Sequence, residues 1–286
     1  MHIVTLISRT LDPALPEALR NAWGGGEVLW LSPDEAAEFP VSNVPGNFED
    51  VRNDLSAQSV DVAIQPAENR RKKLLIADMD STMIQQECID ELAIVAGVGE
   101  RVADITARAM NGELGFRDAL RERVGLLKGL DSGVIDTVFE DQIAFTPGGL
   151  TLVQTMKAHG AYAALVSGGF TSFTAKVTAA LGFDEHRANT LEVENGALTG
   201  TVGEPILGRE AKVDALKEIC GRLGITEADA IAVGDGANDL GMLGRAGMGV
   251  ALHAKPSVAA QANIRIDHGD LTALLFLQGY SRDEFV

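Results

Sequence analysis

The segment from Lys72 to Thr82, KKLLIADMDST, decides how the rest of the chain is interpreted. Residues 74–77 form a short apolar run, and two carboxylates, Asp78 and Asp80, follow it. A short, continuously apolar run that ends in polar residues is typical of a buried parallel strand. Residues two apart in an extended chain point to the same side, so Asp78 and Asp80 can act on one small volume. In open α/β sheets, ligands bind at this carboxyl end of the strands.

The composition excludes several classes of protein. The chain of 286 residues is long enough for one large domain or for two. Its hydrophobic content of 46% is typical of a folded globular protein. The formal net charge of −17 argues against binding to nucleic acid or to an anionic membrane. We therefore expect a small-molecule partner, and neither nucleic acid nor a membrane.

Cysteine usage and hydropathy favour a cytoplasmic location. Cys88 and Cys220 stand far apart without CxxC spacing, which is typical of reduced thiols with a structural role. The N-terminal sequence MHIVTLISRT lacks the basic region and the long apolar run of a signal peptide. The longest apolar run, residues 273–277, is too short to span a bilayer.

Residues 1–70 have the pattern of a small α+β domain. Apolar runs and two amphipathic stretches follow the order βαββαβ, which predicts a ferredoxin-like sandwich. Asn47 is a candidate N-cap for the second helix. The polar segment 66–73 is predicted to link this domain to a second one, residues 71–286. The expected strands lie at 3–7, 27–31, near 41 and at 60–64, and the expected helices at 13–22 and 48–55.

The second domain combines a helical insertion with an α/β pattern. Residues 84–145 carry four amphipathic segments that glycines separate. From Pro147 onward, strands alternate with helices, which predicts a mostly parallel sheet covered on both faces. Asn195-Gly196 between two short runs predicts a β-hairpin. The expected strands are 162–166, 191–194, 197–201, 230–233, 248–252 and 264–266, and the expected helices are 149–159, one after Gly169, 212–223 and 271–277.

Three predicted strands carry polar residues at their carboxyl ends: Asp78 with Asp80, Ser167–Gly169, and Asp235–Asp239. In a parallel sheet these ends share one edge. A Gly-Gly pair between a strand and a helix exposes backbone N–H groups, which suits a phosphate oxygen, and the Ser167 hydroxyl adds a donor. Lys212, near the start of its helix, supplies a positive charge. The sequence therefore predicts a phosphate-binding edge.

The charge balance at this edge indicates a divalent cation. Asp78 and Asp235 are candidate oxygen ligands for Mg²⁺, and the five histidines are too scattered for a zinc site. With Asp80 and Asp239, four carboxylates crowd the site, and a phosphorylated substrate adds negative charge. Lys212 alone cannot offset that charge. We therefore expect Mg²⁺ as the cofactor.

Four motifs in this order resemble those of the haloacid dehalogenase-like (HAD) phosphatases. DMDST (78–82) matches DxDx[TV], SGG (167–169) the second motif, Lys212 the third and GDGANDL (234–240) the fourth. The resemblance covers roughly residues 72–270 and is very specific. It implies a three-layer, Rossmann-like core with a small helical cap at about 84–145.

The resemblance also implies a role for each carboxylate. Asp78 would be the nucleophile that forms an aspartyl-phosphate. Asp80 would protonate the leaving alkoxide and then activate the hydrolytic water. Mg²⁺ would be held by Asp78, the backbone carbonyl of Asp80, and Asp235, and Asp239 would lie next to these ligands without binding the ion.

Within the superfamily, the phosphoserine phosphatase family is the most similar. DMDSTMIQQECIDELA (78–93) and GFRDALRERVGLL (115–127) carry this resemblance. It implies that Glu87 and Arg123 project from the cap, where Glu87 can pair with the ammonium of phosphoserine and Arg123 can bind its carboxylate bidentately. Met110 and Phe116 match apolar positions that line the cap side. The implied reaction is Mg²⁺-dependent hydrolysis of O-phospho-L-serine, the last step of L-serine biosynthesis.

Several alternatives stay open at this point. Asn238 can face the ligand, cap a helix, or do both. Glu87 and Arg123 can face water, as charged residues of amphipathic helices usually do. The chain can act on another small phosphomonoester, as a phosphatase or phosphotransferase. Residues 1–70 resemble amino-acid-binding (ACT-like) extensions in element order, which allows a homodimer through this domain and a regulatory amino-acid sensor with a degenerate core. The intact motif set argues against degeneracy.

Overall fold

The computed structural model describes residues 1–110 and 113–286, with only the backbone of Met110. Residues 2–66 form a four-stranded antiparallel sheet in the order β2-β3-β1-β4. This is the predicted βαββαβ arrangement, and the third strand, expected near Val41, ends at that residue. Its elements are β1 (His2–Ile7), α1 (Ala14–Trp23), β2 (Leu29–Ser32), β3 (Ala36–Val41), α2 (Phe48–Ser56) and β4 (Asp61–Pro66).

The predicted capping role of Asn47 is wrong. Asn47 occupies the position before α2, but its side chain does not cap the helix. Its Oδ1 instead accepts a hydrogen bond from Nε1 of Trp23, 3.1 Å away. The half-buried indole pairs with this oxygen because an apolar ring with one polar N–H favours a partner where it packs. Asn47 therefore ties α1 to the start of α2.

Residues 74–266 contain the second sheet, which is parallel and has the strand order β12-β11-β10-β5-β6-β7. The central strand β5 is the apolar run that precedes Asp78. Its ladders place Ala77 beside Val233 of one neighbour and Leu165 of the other. The strands are β5 (Leu74–Ala77), β6 (Tyr162–Phe170), β7 (Glu185–Asn189), β10 (Ala230–Gly234), β11 (Met248–Leu252) and β12 (Ile264–Ile266), and the hairpin strands are β8 (Leu191–Glu194) and β9 (Ala197–Val202).

Helices cover both faces of this sheet. Leu74 and Ile76 pack toward one face with Leu216, whereas Leu75 and Ala77 pack toward the other. This alternation along one strand is the physical basis of the three predicted layers. The helices are α3 (Cys88–Val95), α4 (Gly99–Met110), α5 (Phe116–Gly125), α6 (Val134–Gln142), α7 (Gly149–Ala158), α8 (Thr171–Leu181), α9 (Arg209–Leu223), α10 (Leu240–Leu243), α11 (Pro256–Ala259) and α12 (Ala273–Leu277).

The helices α3 to α6 form the predicted cap, and its two connections to the core run side by side. Gln85 donates its backbone N–H to the carbonyl of Ala144 (2.9 Å), and Thr146 donates to Met83 (3.0 Å). The cap therefore joins the core a few residues beyond Asp80. None of the helices in the two described ranges is long and apolar enough to cross a bilayer.

The hairpin β8–β9 packs against this cap, which the sequence did not indicate. Gly129 donates its N–H to the carbonyl of Leu198, and Leu198 donates to that of Leu130, each at 2.8 Å. Asn195 and Gly196 have the positive φ angles of 52° and 81° that the Asn-Gly turn predicts.

One strand is longer than predicted. The strand β6 does not end at Val166 but continues to Phe170, and its register with β7 shifts between Val166 and Phe170. Ser167, Gly168 and Gly169 thus lie in an irregular end of β6, not in a separate loop. Glycine is common where a strand ladder is interrupted, and this interruption lies at the carboxyl end of β6.

Candidate active site

The parallel sheet brings Asp78 and Asp235 together at its carboxyl edge. Asp78 follows β5 and donates its backbone N–H to the carbonyl of Val233 (3.0 Å), one residue before Gly234 ends β10. Asp235 directly follows Gly234, the last residue of β10. Carboxylate oxygens of Asp78, Asp235 and Asp239 lie within 4.8 Å of one another, and all three residues are buried. Because these three carboxylates are buried, water cannot stabilise their charges, and a nearby positive charge must do so.

Lys212 is the buried cation of this cluster. Its side chain is 2% exposed, and Nζ lies 2.7 Å from Oδ1 of Asp78 and 2.6 Å from Oδ1 of Asp239. Burial by itself lowers the pKa of Lys212, but the charges of Asp78 and Asp239 outweigh it and raise the pKa above its usual range. The predicted lysine is therefore a charged member of the site and not a solvated helix residue.

The carboxyl group of Asp78 is under opposing influences. Burial and the charge of Asp239 raise its pKa well above the usual range, whereas the Lys212 ammonium opposes that shift. Its Oδ1 also accepts a hydrogen bond from the backbone N–H of Met79 (2.8 Å). A further positive charge beside Asp78 would favour the ionised form.

A metal ion fits these donors. Asp235 has a pKa raised to about 6, first by burial and then by the charge of Asp239. The hydroxyl of Thr82 lies 3.5 Å from Oδ1 of Asp235. Buried, closely spaced carboxylate oxygens with one balancing lysine are the ligand set that a hard divalent cation prefers.

Asp80 lies beside Asp78 but has different partners. Its Oδ1 accepts the backbone N–H of Cys88 (3.0 Å), and its Oδ2 accepts the hydroxyl of Ser167 (3.4 Å). Burial and the charge of Glu87 raise the pKa of Asp80 to about 6. A carboxyl group with a pKa near neutral can both give and take a proton, which is the property of a general acid and base.

The irregular end of β6, residues 167–169, closes the third side of the site and is called the phosphate loop below, after its predicted role. The Ser167 hydroxyl accepts the N–H of Gly169 at 2.8 Å while it faces Asp80. A Cβ on Gly169 would lie 2.5 Å from Oδ2 of Asp80, so only glycine fits there. Gly168 is close to the cap, because a Cβ on it would lie 3.3 Å from Cζ of Phe116.

The cap directs two charged residues toward this edge. Glu87 directly precedes α3 and accepts a hydrogen bond from the hydroxyl of Ser81 (2.9 Å). Arg123 of α5 is partly buried; burial lowers its pKa, and the charges of Asp90, Glu87 and Asp80 raise it. Arg123 donates to the hydroxyl of Thr106 (3.4 Å) within the cap, and its contact with a substrate stays a prediction.

Phe116 and Asn238 are also at the site, whereas Met110 cannot be placed. Phe116 lies between the cap and core glycines, since a Cβ on Gly208 would lie 3.3 Å from its ring. The alternative that Asn238 caps a helix is wrong, because Asp239 occupies the N-cap position of α10. Asn238 lies against Gly236 in the loop after β10. The side chain of Met110 is outside the described residues.

Three contacts at the site escaped the sequence analysis. The hydroxyl of Thr82 faces Asp235, and its place in the DMDST motif was an available signal. The backbone N–H of Cys88 orients Asp80, and a backbone donor leaves no trace in sequence. Asn189 holds the carbonyl of Gly168 through its side-chain amide at 2.8 Å, and it lies in a strand that the sequence did not predict.

The family model of the haloacid dehalogenase-like hydrolases matches residues 75–244. This range contains all of the residues that meet at the sheet edge. The chain belongs to the haloacid dehalogenase-like hydrolases. This family membership confirms the predicted fold class. A solved HAD family hydrolase from Salmonella enterica has 31% identity and a TM-score of 0.87, and the match covers 99% of each chain.

Within these hydrolases, several of the similar proteins are named phosphoserine phosphatases. The Streptomyces coelicolor enzyme is 42% identical over 258 residues, which are 88% of this chain and 62% of that protein. This chain thus spans less than two thirds of that relative. A probable phosphoserine phosphatase of Schizosaccharomyces pombe is 42% identical over 280 residues, 95% of this chain and 93% of that protein. A solved phospho-aspartyl intermediate analogue of a phosphoserine phosphatase has 42% identity and a TM-score of 0.66, covering 72% of this chain and 98% of that chain.

Proposed function

We propose that this protein is a Mg²⁺-dependent phosphoserine phosphatase that hydrolyses O-phospho-L-serine to L-serine and phosphate. The observation that carries the proposal is the joint position of two sets of groups. Asp78, Asp80 and Lys212 form the phosphoryl-transfer end, and Glu87 and Arg123 of the cap supply charges of opposite sign above it. Phosphoserine has the matching groups, a phosphate at one end and an ammonium and a carboxylate at the other.

The proposed reaction has two steps at phosphorus. A carboxylate oxygen of Asp78 attacks the phosphorus atom, the bond from phosphorus to the serine oxygen breaks, and Asp80 gives its proton to that oxygen. Serine leaves, and the phosphoryl group stays on Asp78. Asp80 then takes a proton from water, whose oxygen attacks phosphorus and releases phosphate from Asp78. A pKa of about 6 suits Asp80 to both transfers. The phospho-aspartyl analogue of a relative supports this chemistry.

The remaining residues bind and orient the phosphate in this proposal. The groups that would face its oxygens are Lys212, the Ser167 hydroxyl, the Gly168 N–H and the amide of Asn238. The Gly169 N–H, which donates to the Ser167 hydroxyl in this structure, would orient that hydroxyl or turn to the phosphate itself. Asp78, the backbone carbonyl of Asp80, and Asp235 would hold Mg²⁺, with Asp239 bound to Lys212 beside them. The ion would supply positive charge that offsets these carboxylates and the charge of the phosphoryl group in the transition state.

The cap selects serine and excludes water in this proposal. Glu87 pairs with the ammonium group, and Arg123 binds the carboxylate through two parallel N–H bonds. Phe116, with Met110 as a further predicted apolar contact, covers the site from the cap side. Exclusion of water strengthens the electrostatic contacts and keeps the phosphoryl group from solvent until serine has left.

A substrate panel with and without Mg²⁺ tests the proposal. Phosphate release is measured from phosphoserine, phosphothreonine, a sugar phosphate and a nucleotide. We expect phosphoserine to have by far the highest kcat/KM, and chelation of the metal to abolish turnover. Equal turnover of all four substrates would contradict the serine assignment and favour a broader phosphomonoesterase of the same family.

The variant Asp78→Asn distinguishes an enzyme from a regulatory protein with an inactive core. Its amide cannot attack phosphorus, so turnover should fall by several orders of magnitude while the fold is kept. A matched control is Asp229→Asn, which changes an acidic residue at the opposite edge of the sheet, where Asp229 accepts hydrogen bonds from Thr226. Full turnover by the Asp78→Asn variant would show that the nucleophile is another group.

Four further expectations stay predictions. They are the boundary near residue 70, the amino-acid-binding role of the N-terminal sandwich, a homodimer formed through it, and a cytoplasmic location. Both cysteines are free and buried, which supports the last of these. Serine binding and the mass of the protein in solution would test the second and third.

A further inference from the structure

Asn189 is a buried amide that connects two segments of the active site. It ends β7, its exposed fraction is 2%, and it belongs to none of the four sequence motifs. Its Nδ2 donates to the carbonyl of Gly168 (2.8 Å) and to that of Leu207 (3.2 Å), while its Oδ1 accepts the N–H of Leu207 (2.7 Å). All three of these hydrogen bonds join the Asn189 side chain to backbone groups of other segments.

The first of these segments is the phosphate loop. The ladder between β6 and β7 is interrupted from Val166 to Phe170, so Gly168 is not held by regular strand pairing. The amide of Asn189 supplies a hydrogen bond in that gap. The Gly168 carbonyl and the Gly169 N–H belong to one peptide group, so the orientation of that peptide depends on this side chain.

The second segment leads into the helix of the catalytic lysine. Leu207 is followed by Gly208, which precedes α9, and Lys212 lies in the first turns of that helix. Asn189 bonds to Gly168 and to the residue before Gly208. The ring of Phe116, from the cap, packs against both of these glycines. One side chain thus sets the spacing between the loop, the lysine helix and the surface on which the cap closes.

We propose that Asn189 is a positioning residue for phosphoryl transfer, which fixes the Gly168–Gly169 amides relative to Lys212. The inference rests on the proposed function, since it assigns the phosphate to these groups. Displacement of catalytic groups by about 1 Å is enough to reduce turnover by about a hundredfold. Asn189 acts on the substrate only through the backbone groups that it holds.

The variants Asn189→Ala and Asn189→Asp test the inference. Alanine removes the three hydrogen bonds, and aspartate keeps the size but cannot donate to the two carbonyls. We expect both to bind inorganic phosphate, in the presence of Mg²⁺, about tenfold to a hundredfold more weakly by calorimetry, with a similar loss in kcat/KM. The alanine variant carries the test if the aspartate variant does not fold.

Gln278 offers a matched control for a purely structural effect. It is also a buried amide (1% exposed) that bonds backbone groups, since it accepts from the N–H of Lys72 (3.0 Å) and donates to the carbonyl of Leu274 (3.0 Å). It lies at the opposite edge of the sheet. Gln278→Ala should lower the thermal midpoint as Asn189→Ala does, yet leave the phosphate affinity unchanged.

The outcomes separate this inference from the proposed function. Unchanged phosphate affinity and turnover in a folded Asn189→Ala variant would overturn the inference, as would an equal loss of affinity in Gln278→Ala. A wild-type protein that binds phosphate but does not hydrolyse phosphoserine would overturn the proposed function, and the phosphate measurement would still test Asn189.

Discussion

At the scale of single residues, two of the three arginines of α5 show how position decides role. Arg123 is partly buried and faces Asp90, Glu87 and Asp80, whereas Arg121 is exposed and pairs with Glu204 at 2.7 Å. The two residues are two positions apart on one helix, so they point to different sides. The local charge pattern does not separate them, because both are arginines in the same charged run; only the resemblance to a family singled out Arg123.

We predict that Arg123→Ala raises KM for phosphoserine by about a hundredfold, the effect of losing roughly 3 kcal/mol of charge-assisted hydrogen bonds. The KM for phosphoethanolamine, which has no carboxylate, should change much less. Steady-state kinetics with both substrates measures the difference. Arg121→Ala is the control and should leave both KM values near wild type, since exposed ion pairs contribute little. Equal effects of Arg123→Ala on both substrates would show that Arg123 does not bind the carboxylate.

At the scale of elements, the hairpin β8–β9 is held to the cap by a close backbone approach. Gly200 in β9 has a φ of 83°, and a Cβ there would lie 2.9 Å from Cβ of Lys128. Gly196 in the turn has a similar φ of 81° but nothing within 4 Å of an added Cβ. The two glycines thus share the conformational requirement and differ in packing.

We predict that Gly200→Ala destabilises the protein more than Gly196→Ala. The positive φ costs each variant about 1 kcal/mol, and the contact with Lys128 adds about 1–3 kcal/mol to Gly200→Ala alone. Denaturant unfolding gives both values. If the two variants lose the same stability, the hairpin does not pack on the cap as closely as described.

The sequence predicted those elements whose pattern is local. The run before Asp78, the Asn-Gly hairpin and the four cap helices follow from apolar periodicity and turn residues, and the structure has them. The strand β7 was missed because its residues, EHRAN, are mostly polar, and its buried positions depend on its place at the sheet edge. The docking of the hairpin on the cap is likewise a tertiary contact that no local pattern records.

At the scale of the whole molecule, the N-terminal sheet is joined to the core by buried polar contacts. Asp61 of β4 is 4% exposed, and its carboxylate accepts the backbone N–H groups of Asp267 (2.8 Å), His268 (3.2 Å) and Gly269 (2.7 Å). Arg70, in the segment predicted as a linker, pairs with Glu38 and donates to the carbonyl of Leu277 (3.2 Å). Arg70 therefore fixes the segment between the two sheets both to the N-terminal sheet and to the core.

The loop that Asp61 binds also contacts the segment that connects the cap to the core. That loop continues to Leu271, which donates its N–H to the carbonyl of Pro147 (3.1 Å), next to the segment by which the cap returns to the core. The N-terminal sheet and the base of the cap thus contact the same short loop, residues 267–271. Burial raises the pKa of Asp61, and the backbone N–H groups oppose that shift.

We predict that Asp61→Ala lowers the free energy of unfolding by about 2–4 kcal/mol, because it leaves buried N–H groups without an acceptor. Chemical denaturation measures the loss. Asn53→Ala is the control at the same junction, since Asn53 accepts from Arg265 (2.7 Å) at an exposed position and should contribute less than about 1 kcal/mol. Equal losses would mean that the two sheets are held together by general packing and not by the Asp61 carboxylate.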